Sequence, residues 1–246
     1  MPVDRFYLDS LFQEGQTVSL TGDELDHLFV MRKKANDTVE LVNGKNQLAI
    51  CKIEETTKSK ASLLIEKLYT SEKKKPSIIL AQALPKMPKL ELVVEKGVEL
   101  EVSEFWFFPG MHSEIEEISE NKKKRLEMLK IAAMKQCGRL DLPKIVFFPS
   151  LDKTPILQEA FFGDINPKAP GLLSSLQKNK AKGAQIFIGP EKGFHEQEIQ
   201  CMIDRGAMGV CLLDTVLRTE TAAICASSLA AHFFYLMNSA PNMEPL

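Results

Sequence analysis

After Pro76 the apolar residues follow two alternating rhythms. Residues 77–84 form a continuous apolar run, as a strand covered on both faces requires. Leu90, Val93, Val94, Gly97, Val98 and Leu100 then recur at helical spacing. The alternation continues with a strand over 104–108, a helix over 121–139 that turns Leu126, Leu129, Ala133 and Met134 inward, and a strand over 145–148. Residues 152–182 are less regular and read as helix, loop and helix. A strand at 184–188, a helix at 195–205, a strand at 209–213 and a helix at 219–237 complete the pattern. Strands alternating with helices predict an α/β fold whose sheet is mostly parallel and covered on both faces.

The first 72 residues have a different texture. Residues 17–20 alternate, and Thr21-x-x-Glu24 reads as a capping box that opens a short helix reaching Met31. Residues 37–42 and 47–53 flank Asn43-Gly44, a strong hairpin signal, and 61–68 supplies another alternating strand. A small β-barrel with one inserted helix accounts for these elements. The run Lys73-Lys74-Lys75-Pro76 is charged and helix-breaking, so the chain divides there into 1–72 and 73–246.

Composition narrows the classes. A chain of 246 residues, 44% hydrophobic and 26% charged, has the balance of an ordinary globular protein. With a net charge of −2 it is no general nucleic-acid coat, and any RNA contact must be a local basic patch. Its five cysteines form no C-x-x-C pair and read as reduced, mostly buried thiols of a cytoplasmic protein. The four histidines share no ligand spacing, so no metal site is expected. Residues 222–237 are nearly uncharged but fall short of the ~20 that span a bilayer, and the start has no apolar leader.

Chemistry gathers at strand ends. In 212–223 an apolar run stops, and Arg218, Thr219, Glu220 and Thr221 open an otherwise apolar helix. An N-cap explains Thr219 and Glu220 but not Arg218, whose charge opposes the helix dipole. Ile188-Gly189-Pro190-Glu191-Lys192-Gly193-Phe194 joins a strand to a helix, and its glycines let backbone approach a ligand closely; the plain alternative is a structural turn. Gly138 and Pro143 close the helix that carries Arg139, which equally suits an ordinary terminus. Neither a dinucleotide fingerprint nor a P-loop is present.

The motifs resemble one family in combination. They are Arg5-Phe6-Tyr7, His27-x-x-Val30-Met31-Arg32, Lys96-x-x-Glu99-Leu100, Gln136-x-Gly138-Arg139, Ile188-Gly189-Pro190-Glu191-x-Gly193-Phe194-x-x-x-Glu198 and Leu217-Arg218-Thr219-Glu220-Thr221-Ala222. The chain is similar, over nearly its full length, to the 16S ribosomal RNA (uracil-N3)-methyltransferases of the SPOUT superfamily. The resemblance implies a PUA-like RNA-binding domain followed by an α/β domain with a deep trefoil knot, which general topology rules would not have suggested. It also implies a homodimer that uses S-adenosyl-L-methionine to methylate N3 of one uridine in the 16S rRNA of the small ribosomal subunit. The cofactor pocket would comprise Ile188, Gly189, Pro190, Glu191, Gly193, Leu212, Leu213, Leu217, Thr219 and Ala222.

The implied chemistry suits these residues. Uracil N3–H must lose its proton, and an arginine aimed at the ring carbonyls would stabilise the developing charge. Arg218 or Arg139 is the candidate, with Glu220 orienting the arginine or relaying the proton. Arg5, Phe6, His27, Arg32 and Lys33 are the candidate RNA contacts, as aromatic faces hold bases and cations hold phosphates. The chain departs from the family at Glu101, Lys192 and Leu213, where glycine is usual, and around 109–112. Strain at Lys192 and obstruction by Leu213 are the expected consequences. They leave open an rRNA-binding protein that has lost transferase activity; a ribose 2′-O-methyltransferase is a further alternative.

Overall fold

A computed structural model describes residues 4–72 and 76–239. The run Lys73–Lys75, where the sequence suggests a boundary, lies outside the described residues. The chain divides into two compact units: one takes the residues before this run together with 130–142, the other takes the rest.

In the first unit β1 (Arg5–Tyr7), β2 (Thr17–Leu20), β3 (Thr38–Val42), β4 (Gln47–Thr56) and β5 (Ala61–Thr70) form one sheet in the order β1-β3-β4-β5-β2. Helix α1 (Gly22–Val30) is inserted after β2. The Asn43-Gly44 signal marks a true hairpin between β3 and β4. There Asn43 Oδ1 accepts from Lys45 N at 2.8 Å, and Gly44 takes a φ of +69°. β1 pairs with β3 in parallel, a long-range partnership that alternation cannot reveal. Alternate residues of the long strands (Leu41, Ile53, Leu63) meet Phe6, Leu20 and Leu28 in a fully buried core.

The capping box expected at Thr21 does not form. Thr21 is extended, but its side chain makes no cap bond. Glu24 instead accepts from Tyr7 N at 3.1 Å and pairs with Lys135 at 2.5 Å. Tertiary partners have taken the carboxylate that the motif assigned to the helix.

In the second unit six strands run in parallel: β6 (Ser77–Ala83), β7 (Glu104–Phe108), β8 (Lys144–Phe147), β9 (Ala160–Gly163), β10 (Gly183–Ile188) and β11 (Met208–Val210). Their order is β11-β9-β10-β6-β7-β8. The helices are α2 (Met87–Glu99), α3 (Glu120–Cys137), α4 (Leu172–Lys178), α5 (Glu196–Asp204) and α6 (Thr219–Ser239). α2 packs against α6, and the buried Gly97 of α2 lies against the Phe105 ring of β7.

Two sequence expectations fail in this unit. Residues 152–182 are not helix, loop and helix: a short 3-10 turn at Leu151–Lys153 leads into β9, and only α4 is helical. Ala160-Phe161-Phe162 is a short, uniformly apolar run with no alternation, because β9 is enclosed between β10 and β11. The strand expected over 209–213 stops at Val210, so Leu212 and Leu213 lie in a loop.

Candidate active site

The carboxyl ends of β9, β10 and β11 surround a cavity of about 280 Å³. Ligands in parallel sheets collect at such ends. Its wall comes from three loops and a helix start: 163–165 after β9, 188–194 after β10, 212–217 after β11, and Thr219 with Ala222 in α6. All ten residues that the resemblance assigns to a cofactor pocket lie on this wall. Gly163, Asp164 and Ile165 were not anticipated, because the segment that delivers them was not read as a strand. The lining includes apolar side chains (Leu212, Val216, Leu217), three carboxylates (Asp164, Glu191, Asp214) and one cation, Lys192.

A buried amide fastens two parts of this wall together. Gln82, at the end of β6, is fully enclosed. Its Nε2, with two hydrogens to give, lies within hydrogen-bond reach of the carbonyl oxygens of Ala83, Ile188 and Gly189 at 2.8, 3.3 and 3.2 Å, and of Thr219 Oγ1 at 3.0 Å. Thr219 Oγ1 in turn donates to the Gly189 carbonyl at 2.6 Å. The Thr219 hydroxyl therefore joins α6 to the 188–194 loop. Gly189 is required by space: a Cβ there would stand 3.0 Å from Phe194 N and 3.1 Å from the Gly193 carbonyl carbon.

Buried Glu198 anchors the far side of the same loop. Its Oε2 accepts from His195 N at 2.8 Å, while His195 Nδ1 accepts from Gln197 N at 3.1 Å, a capping box that opens α5. Its Oε1 accepts from Met111 N at 3.0 Å, and His112 Nδ1 lies 3.2 Å from the Gly193 carbonyl. Residues 109–112, which depart from the family pattern, are thus bonded to the loop that lines the cavity.

Among the catalytic candidates, Arg218 is exposed at the mouth of α6, and its guanidinium has no ion pair or hydrogen bond among the described residues. Glu220 is half-buried with Lys89 Nζ 3.5 Å away. Arg139 belongs to the first unit, is buried, and is held by Asp141 Oδ2 at 3.0 Å from Nε and 2.6 Å from Nη2. This pairing holds the guanidinium in place.

The candidate RNA contacts also separate. Phe6 is 0% exposed in the core of its unit and has no face to offer a base. Arg5 is clamped on Glu40, with Nε and Nη2 both bonded to Oε2 at 2.9 and 2.7 Å, and Lys33 pairs with Asp4. His27 is partly exposed and packs its ring 5.1 Å from that of Phe6. Arg32 is exposed with a φ of +56°.

The departures from glycine have distinct outcomes. Lys192 keeps an ordinary φ, and the left-handed position falls on Gly193 at +75°, so the expected strain is absent. Glu101 does take a left-handed φ of +63°, in the turn from α2 to β7. Leu213 lines the cavity but leaves it open.

Family comparison agrees with this geometry. Residues 72–231 match the model for the RNA methyltransferase domain, and residues 20–66 match the RNA methyltransferase PUA domain. The chain belongs to the RNA methyltransferase family. This is the family that the motifs resemble, the 16S rRNA (uracil-N3)-methyltransferases with a PUA domain and a SPOUT domain. The ribosomal RNA small subunit methyltransferase E of Bacillus subtilis is 29% identical over 237 residues, covering 89% of this chain and 91% of its own. A crystal structure of ribosomal RNA small subunit methyltransferase E from Neisseria gonorrhoeae bound to S-adenosyl methionine is 29% identical. It covers 93% of this chain and 95% of its own, with a TM-score of 0.78. A putative methyltransferase from Legionella pneumophila, also in complex with that cofactor, is 26% identical with a TM-score of 0.84, over 94% and 98% of the two chains. Among the described residues no helix is long and apolar enough to cross a membrane.

Proposed function

We propose that this protein transfers a methyl group from S-adenosyl-L-methionine to N3 of one uridine in the 16S rRNA of the small ribosomal subunit, acting in the cytoplasm as a homodimer. The observation that carries the proposal is the convergence of the 163–165, 188–194 and 212–222 segments on one cavity. The residues present fit the cofactor. Gly163, Gly189 and Gly193 expose backbone for close approach. Leu212, Val216 and Leu217 offer apolar surface to an adenine, and Asp164, Glu191 and Asp214 suit a ligand with a cationic end. The bound cofactor supplies an electrophilic methyl carbon. The trefoil-knotted threading implied by the resemblance belongs to the same proposal.

The protein's own residues then have two tasks. One is to hold the base with N3 about 3–3.5 Å from the methyl carbon. The other is to stabilise the ring oxygens as N3–H leaves. Arg218, with no partner of its own among the described residues, is free to take that charge. Glu220 orients the arginine or relays the proton.

RNA contact in the first unit rests on His27 and Arg32 rather than on Phe6. Arg32 holds a left-handed backbone that costs an arginine on the order of 1–2 kcal/mol and a glycine almost nothing, which favours a role for its side chain. Apolar surface beside the cavity, with Ile165 80% and Val216 79% exposed, supports the dimer as the cover of that face.

The test is single-turnover methylation of small ribosomal subunits with the methyl group located by mass spectrometry. Methylated uracil is expected; a ribose methyl would overturn the choice of acceptor. Calorimetric titration should show saturable cofactor binding, and its absence would favour an inactive rRNA-binding protein. Arg218→Ala should lower the transfer rate by about 10²-fold or more with cofactor affinity retained. A full rate in that variant would remove Arg218 from the mechanism.

A further inference from the structure

Lys89 stands in the first turn of α2, between carboxylates from two other elements. Its Nζ lies 3.2 Å from Glu191 Oε1, in the loop after β10, and 3.5 Å from Glu220 Oε2, in the first turn of α6. Both carboxylates are shielded from water, their side chains 21% and 14% exposed. They are not equally supported. Glu191 Oε1 also accepts from the backbone N–H of Lys86 at 3.2 Å. Glu220 Oε2 is buried and accepts no hydrogen bond. Its close positive neighbour is the Lys89 ammonium. Two shielded anions that share one cation repel each other once it is removed, and the less supported one is freer to move.

We propose that Lys89 is a positioning residue for methyl transfer, holding the Glu220 carboxylate at the start of α6 while tying the loop after β10 to that helix. The inference rests on the methyltransferase reading of the site. Lys89 is not part of the cavity wall, so it acts through the carboxylates it holds: through Glu191 it would alter cofactor binding, and through Glu220 the transfer step.

The experiment uses the full chain with small ribosomal subunits and labelled S-adenosyl-L-methionine. It compares wild type, Lys89→Met, Lys89→Gln, Lys89→Arg, Glu220→Gln and the Lys89→Met/Glu220→Gln double variant. Lys89→Met and Lys89→Gln should each lower the single-turnover rate about tenfold or more while the calorimetric Kd for the cofactor stays within about threefold. Lys89→Arg, which keeps the charge, should recover most of the rate. The double variant should be no slower than Glu220→Gln alone, because residues that act in series are not additive. A wild-type rate in both uncharged variants, a rate loss that merely follows lost cofactor binding, or full additivity in the double variant would overturn the inference. Should Lys89→Met not fold, Lys89→Gln, closer in polarity and length, gives the same comparisons. A wild-type protein that transfers no methyl overturns the reading of the site as well, whereas active wild type with unaffected Lys89 variants overturns this inference alone.

Discussion

Gln82 exemplifies the residue scale. Within a run read only as apolar, it is the one polar side chain that reaches both the loop after β10 and Thr219. Replacing it with leucine removes a donor from the Ile188 carbonyl and from Thr219 Oγ1 and leaves the Gly189 carbonyl only the Thr219 hydroxyl, a loss that costs about 1–3 kcal/mol. Denaturant unfolding should show that loss, accompanied by weaker cofactor binding. Nothing in the sequence distinguishes this glutamine, since its role depends on partners more than one hundred positions away. Cys51 is the opposite case, a thiol whose burial the composition anticipates. Burial, with the charge of Glu66 adding to it, raises its pKa from 9.0 to about 12. In the folded protein it stays protonated and resists alkylation at pH 8, whereas exposed Cys137 should react quickly. Peptide mapping after iodoacetamide treatment checks both. The sign of the linkage follows: the unfolded thiol ionises first, so this contribution to stability is complete below pH 9.0 and is lost as pH rises towards about 12.

At the scale of elements, patterns were legible where one element faces one environment. The helical spacing of Leu90, Val93, Val94, Gly97 and Val98 marks the buried face of α2. Gly97 is the tightest point on it, since a Cβ would fall 2.4 Å from the Phe105 ring. Gly97→Ala should therefore destabilise the protein by about 1–3 kcal/mol despite the better helix propensity of alanine, measurable as a lower midpoint in urea. Elements were misread where tertiary partners decide. β9 is too short and too enclosed to show a period, and the Thr21–Glu24 motif loses its carboxylate to Tyr7 and Lys135. The four-residue motif that does close a cap, His195 to Glu198, carries histidine where serine or threonine is the usual signal.

For the whole molecule, the change of rhythm near Pro76 falls where the chain passes from the first unit to the second, and the strand-end loops of the second unit line the cavity. What spacing could not supply was the exchange of α3 residues between units, for 130–142 cluster with the first unit although the helix begins in the second. With a net charge of −2 there is little general attraction to offset a lost cation. Arg32→Ala should therefore weaken binding to small ribosomal subunits and reduce the slope of log affinity against log salt by about one. An unchanged slope in a filter-binding titration would move the contact elsewhere.

The order of strands has a consequence for synthesis. β9 and β10 leave the ribosome before β11 and the start of α6, yet the cavity takes its wall from all four. A nascent chain that has extruded residue 200 already has β6 and β10 to pair, but it lacks Leu212, Leu217, Thr219 and Ala222. Competence to hold a methyl donor therefore waits for residue 222, and products truncated before it should not compete for the donor.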